Sequence, residues 1–169
     1  MSEGQYLDEF PISEEHVCLN HAGVGPPSQA CVGAVQKFMW EHSRGMHSFD
    51  DLELVADLCR QRFASLIGSD QEEVAFVRNT SHGLSIVAAG LSWREDDRIM
   101  VATDLEYPSN VYPWLDLDKR GVAKVDMIDT PDGLLDTKSV LKTIHKKTRM
   151  LAISSANYAT GEVIDLEEL

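Results

Sequence analysis

A chain of 169 residues, 43% hydrophobic and 25% charged, has the composition of a globular protein with room for one core, which sets solenoids, coiled coils and disordered tails aside. Its formal net charge of −13 repels phosphate backbones and anionic bilayers, so neither nucleic acid nor membrane is an expected partner, while a small anion can still bind at a helix N-terminus. The opening Met1-Ser2-Glu3-Gly4-Gln5 lacks the basic and apolar parts of a targeting segment and no stretch reaches membrane-spanning length, so a cytoplasmic location is the expectation.

In chain order, Ser28 after Pro26-Pro27 is a helix cap, with Val32, Val35 and Met39 on one apolar stripe. Leu52, Val55, Leu58 and Leu66 keep a helical period that Gly68 is placed to end. The pattern then changes. Val74-Ala75-Phe76-Val77 predicts a strand, and Leu84, Val87, Ala88 and Leu91 predict the helix after it. Further strands are predicted over 98–102, 123–128 and 150–153. Between them fall a helix from Pro108 to Gly121 and one capped by Asp136 or Thr137 that carries Val140, Leu141 and Ile144. Asp165-Leu166-Glu167-Glu168-Leu169 reads as the capped start of another helix. Continuous apolar strands alternating with amphipathic helices predict an α/β fold with a mostly parallel sheet covered on both faces. Residues 1–70 form an N-terminal helical segment ahead of it, and 71–169 an incomplete α/β domain. Cys18, Cys31 and Cys59 are odd in number, widely spaced and without a C-x-x-C, so they read as free thiols rather than a disulfide framework or metal site.

Three polar segments fall at the C-terminal ends of predicted strands, where open α/β sheets bind ligands. Arg78-Asn79-Thr80-Ser81-His82-Gly83 opens a helix whose unpaired N–H groups suit a phosphate, though Asn79 or Thr80 also makes an ordinary cap. Asp104 to Trp114 offers Tyr107, a ring able to lie over a planar ligand or to cap the core edge. Ser154-Ser155-Ala156-Asn157-Tyr158-Ala159-Thr160-Gly161 supplies amide and hydroxyl groups, or simply a turn. No G-x-G-x-x-G follows any strand, which disfavours a dinucleotide-binding oxidoreductase.

Cys18-Leu19-Asn20-His21-Ala22-Gly23-Val24-Gly25-Pro26, Arg78-Asn79-Thr80-Ser81, Glu106-Tyr107-Pro108-Ser109-Asn110 through Pro113-Trp114, and Thr160-Gly161 together make the chain resemble class V pyridoxal-phosphate enzymes, of which it looks like the N-terminal portion. That family includes aminotransferases, cysteine desulfurases, selenocysteine lyases, kynureninases and isopenicillin-epimerase-like proteins. The resemblance implies a truncated fold-type-I large domain and pyridoxal 5'-phosphate as cofactor. It implies that the backbone of Thr80, Ser81 and His82 cradles the cofactor phosphate, with the Ser81 hydroxyl as a further donor. Tyr107 then stacks on the pyridine ring, where desulfurases usually carry His. Asn157 bonds the ring hydroxyl, unless alignment on Gly161 puts Tyr158 there, and Asn20, His21 and Ala22 lie near an amino-acid substrate.

No residue is assigned a catalytic role, because the family's pyridine-nitrogen Asp and its Ser-x-His-Lys lysine follow later strands than this chain contains. Thr143-Ile144-His145-Lys146 is set aside as a helix C-terminus, where Lys and His meet the dipole. The expectation is a fragment of a transferase or lyase acting on amino acids, of aminotransferase, cysteine desulfurase/lyase or epimerase type. It is inactive alone and works as a homodimer or with a complementary chain. The alternative is a non-catalytic module that binds a full-length relative. In the family the first strand lies beside the last, so 74–77 is expected to lack a neighbour here.

Overall fold

In the computed structural model, which describes residues 7–169, the Ser28 side chain accepts the Cys31 N–H at 3.1 Å and starts helix α1, Gln29–His42. Helix α2, Phe49–Ile67, opens on a reciprocal cap: Ser48 Oγ accepts the Asp51 N–H at 3.2 Å, and Asp51 accepts the Ser48 N–H at 2.8 Å. It ends at Gly68, whose φ of 72° is left-handed backbone that a side chain would strain. Both helices belong to the first of two units, Met1–Phe76. Their apolar stripes form as the spacing predicts, but Val35, Met39, Val55, Leu58 and Leu66 stay exposed. Among the described residues of this unit only Ala64 is buried. Periodicity reports that a face is apolar; it does not supply the surface that covers it.

The second unit, Val77–Leu169, holds the sheet. Helix α3 is Thr80–Gly90, strand β1 Arg98–Val101, helix α4 Tyr112–Lys119, strand β2 Lys124–Met127, helix α5 Thr137–Thr143 and strand β3 Thr148–Ala152. The order is β2-β1-β3 and both pairings are parallel, with Ile99 opposite Val125 on one side and Met150 on the other. Alternation along β1 divides the core. Ile99 and Val101 pack with Ala88 of α3 and with Trp114 and Leu117 of α4, whereas Met100 and Ala102 pack with Val140 of α5, Leu135 and Ile164. Two covered faces explain why the strand reads as an unbroken apolar run.

Two expected elements are absent. Residues 74–77 pair with no strand among the described residues, although Val74 is extended at φ −107° and ψ 121°. Apolar residues favour burial, but a strand exists only where a second backbone completes its ladder. Residues 165–169 form no helix either, and the Asp165 carboxylate accepts the Glu167 N–H at 2.9 Å in a local turn.

Asp126 of β2 ties the first residue of β1 to the loop that precedes β3. Arg98, the first residue of β1, donates its Nε–H to Asp126 Oδ2 at 2.8 Å and also bonds Oδ1 through its Nη2, and His145 Nε2 lies 3.0 Å from Oδ2. His145 therefore faces Asp126 rather than the carbonyl end of α5. The Arg98 guanidinium holds the Asp126 carboxyl below the usual carboxylate range; partial burial opposes this and the His145 bond adds to it. A carboxylate so depressed contributes its full stabilisation above the unfolded value of about 3.9 and loses it as pH falls through the lower folded value. Asp126→Asn is thus expected to melt below the parent at neutral pH, with the gap closing as the solution is acidified. Thermal melts from about pH 7 to about pH 3 check this, and a gap that does not change with pH would refute the assignment.

Candidate functional site

At the start of α3, Asn79 is extended (φ −169°, ψ 175°) and its Oδ1 accepts the His82 N–H at 2.9 Å, while the Gly83 N–H bonds the Asn79 carbonyl at 3.1 Å. The His82 ring is also engaged, its Nδ1 accepting the Arg78 N–H at 3.2 Å. Asn79 thereby takes the third donor of the turn. The N–H groups of Thr80 and Ser81 have no acceptor among the described residues. They remain the free positive end of an eleven-residue helix.

Ser81 faces an open hollow of about 530 Å³ together with Tyr107, Pro108 and Ser109 from the loop after β1, and with Tyr112 and Asp116 of α4. The phosphate-turn segment and the aromatic segment singled out in the sequence thus meet in one place. Tyr107 presents its ring to solvent at 55% exposure, while its carbonyl is fixed by the Asn110 N–H at 2.8 Å.

Under this loop lies a buried carboxylate to which the sequence reading gave no role. Glu106 is 6% exposed. Its Oε1 accepts the Ser154 N–H at 2.5 Å, and its Oε2 accepts the Ser154 hydroxyl at 2.7 Å and the Asn110 amide at 3.0 Å. Asn110 Oδ1 in turn accepts the indole N–H of buried Trp114 at 3.2 Å. Glu106, Asn110 and Trp114 therefore sit four residues apart because they form one chain of hydrogen bonds, joining the C-terminal ends of β1 and β3 to the first turn of α4. The acid, amide and indole at that spacing are the signal from which this strut could have been read.

The third segment is tied to the second. Asn157 donates Nδ2–H to the Leu105 carbonyl at 2.9 Å, and its Oδ1 accepts the N–H groups of Ala159 and Thr160 at 2.8 and 3.0 Å. The second amide hydrogen of Asn157 has no acceptor among the described residues. Asn20, His21 and Ala22 belong to the other unit and are exposed there. His21 lines a hollow of about 440 Å³ with Phe10 and Cys18, and Asn20 Oδ1 accepts the Gly23 N–H at 3.3 Å.

Comparison with known proteins gives the following. The family model for aminotransferase class V matches residues 22–169. A probable cysteine desulfurase of Methanothermobacter thermautotrophicus is 29% identical over 167 residues, covering 95% of this chain and 41% of that relative. A cysteine desulfurase from Escherichia coli superposes with a TM-score of 0.81 at 25% identity, over 99% of this chain and 45% of the other. A point variant of C-DES, solved with glycine covalently linked to its PLP cofactor, shares the fold with a TM-score of 0.81 at 22% identity, over 96% of this chain and 44% of the other. This chain spans less than half the length of each of these three proteins.

Proposed function

The chain belongs to the aminotransferase class-V family, and from that premise we propose that its Val77–Leu169 unit holds the phosphate and ring of pyridoxal 5'-phosphate for chemistry on an amino acid. The observation that carries this reading is the shared hollow of Ser81 and Tyr107 at the N-terminus of α3. Thr80 and Ser81 offer two N–H groups without acceptors, and the Ser81 hydroxyl lies beside them, which is a donor set suited to a phosphate dianion. His82 contributes through its turn rather than its N–H, since that group already serves Asn79. Tyr107 supplies an exposed face for a planar ring, and the remaining Asn157 amide hydrogen is the donor for the ring hydroxyl. When bound, the cofactor supplies an electron sink for bonds at the amino-acid α-carbon. Asn20, His21 and Ala22 are kept as substrate contacts on the strength of the Cys18 to Pro26 motif alone.

Among the described residues no lysine lines the hollow. Residues 77–169 accordingly hold the cofactor without a covalent bond, and the lysine that turnover needs comes from outside residues 1–169. The exposed apolar residues of α1 and α2 support association with further polypeptide, whether another copy or a complementary chain. A titration of the full chain should show saturable binding of pyridoxal phosphate and much weaker binding of pyridoxal, which lacks the phosphate. Borohydride added to the mixture should label the seven lysines without preference. Equal affinity for the two ligands would remove the phosphate site, and stoichiometric trapping at one lysine would overturn non-covalent retention.

A further inference from the structure

Tyr107 is, with Tyr112, an exposed ring of the hollow, and its hydroxyl makes no hydrogen bond among the described residues, so nothing polar sets the plane of the ring. An aromatic neighbour touches it. The ring of Tyr158 meets it with centroids 5.1 Å apart and planes at 89°, an edge-to-face arrangement that the ring quadrupoles favour. The Tyr158 hydroxyl makes no hydrogen bond among the described residues, so it is the ring of Tyr158 and not its polar tip that is engaged.

The backbone explains how the two rings come to meet. Asn157, immediately before Tyr158, donates to the carbonyl of Leu105, two residues before Tyr107. The turn carrying Tyr158 is closed by the Ala159 and Thr160 N–H groups on Asn157 Oδ1, by the Gly161 N–H on the Asn157 carbonyl at 2.9 Å and by the Asn157 N–H on the Glu162 carbonyl at 2.8 Å. Gly161 completes the turn at φ 72°. The polar groups of Asn157 thus place the second aromatic residue beside the first, across more than fifty positions of sequence.

We propose that Tyr158 is a positioning residue that fixes the ring plane of Tyr107 by edge-to-face contact, leaving the Tyr107 ring preoriented for a planar heteroaromatic ligand in the hollow. The inference rests on the cofactor reading above and adds to it the device that orients the stacking residue. Preorientation spares the ligand the entropy of arresting a half-exposed ring. Only the aromatic ring of Tyr158 is required, so phenylalanine should replace it and leucine should not.

The test uses the full chain labelled with ¹³C-tyrosine, with Tyr107→Phe to assign the Tyr107 ring signals. In Tyr158→Leu these signals should move toward those of free tyrosine, through loss of the neighbouring ring current, and the Kd for pyridoxal phosphate should rise about 2-fold to 10-fold. The induced circular dichroism of the bound ligand should fall as its orientation loosens. Tyr158→Phe should keep ring signals, affinity and dichroism at parent values, and melting without ligand should be alike in all three proteins. Unmoved Tyr107 signals in Tyr158→Leu overturn the proposal. So does a Tyr158→Phe variant as weak as Tyr158→Leu, which would make the hydroxyl a direct ligand contact. If the parent binds no pyridoxal phosphate, the cofactor reading fails while the Tyr107 ring signals still decide whether Tyr158 sets the ring.

Discussion

Glu106→Ala is expected to destabilise the Val77–Leu169 unit by about 3 kcal/mol, because it strands the Ser154 N–H and the Asn110 amide beneath the site while removing three bonds to a charged acceptor. A loss of that size is a large part of a small domain's total stability of about 5–15 kcal/mol. Glu106→Gln should cost less, about 1–2 kcal/mol, since the shape and one acceptor survive while its new NH₂ meets donors that have nothing to accept. Urea denaturation followed by tryptophan fluorescence measures both, Trp114 being 1% exposed and part of the same chain of bonds. A Glu106→Ala midpoint equal to the parent's, at unchanged slope, would show that Ser154 and Asn110 find other partners and that no strut joins the two strand ends.

Ser81→Ala is expected to weaken pyridoxal phosphate binding about 10-fold to 100-fold, the equivalent of one hydrogen bond to a charged group at about 1.5–3 kcal/mol. Ser81→Pro should do more. It deletes one of the two N–H groups that lack an acceptor and strains Thr80 before it. Helix formation itself should tolerate the change, because that N–H has no partner within the helix. The comparison of interest is therefore ligand affinity against melting temperature without ligand. If both variants keep parent affinity and parent stability, the turn is only a helix cap and the assignment of Thr80 and Ser81 must be withdrawn.

Elements were legible wherever their cause was local. Ser28 and Asp136 announce helix starts through a side chain that bonds backbone three residues on, and Gly68 announces an end through a conformation other residues avoid. Strand β1 was visible as an apolar run because helices cover both of its faces. At 74–77 the apolar run was legible too, but a run becomes a strand only where a second backbone completes its ladder, and none pairs with it among the described residues. For the site, Ser81 and Tyr107 could be placed at one sheet edge from topology. The spacing of four from Glu106 to Asn110 to Trp114 announces one end of the strut, but its bonds to Ser154 could not be read, because they join residues 48 apart. Asn157 was legible as a polar residue at that edge. That most of its hydrogen bonds hold its own loop in place is a fact of three-dimensional packing.

The uneven burial of the two units has a consequence for hydrogen exchange. Amides of β1, with Ile99, Met100 and Val101 fully buried and hydrogen-bonded to strands on either side, exchange only when the sheet itself opens. Amides of α1 and α2 have no such dependence. With Ala64 the only buried residue among those described in their unit, their protection is little more than that of a helix opening turn by turn. A deuterium-uptake time course should therefore separate into two tiers, with helices that are well capped yet exchange early and a short sheet that exchanges late. Anything that comes to cover α1 and α2 would be recognised by the slowing of the first tier before any other property of the chain had changed.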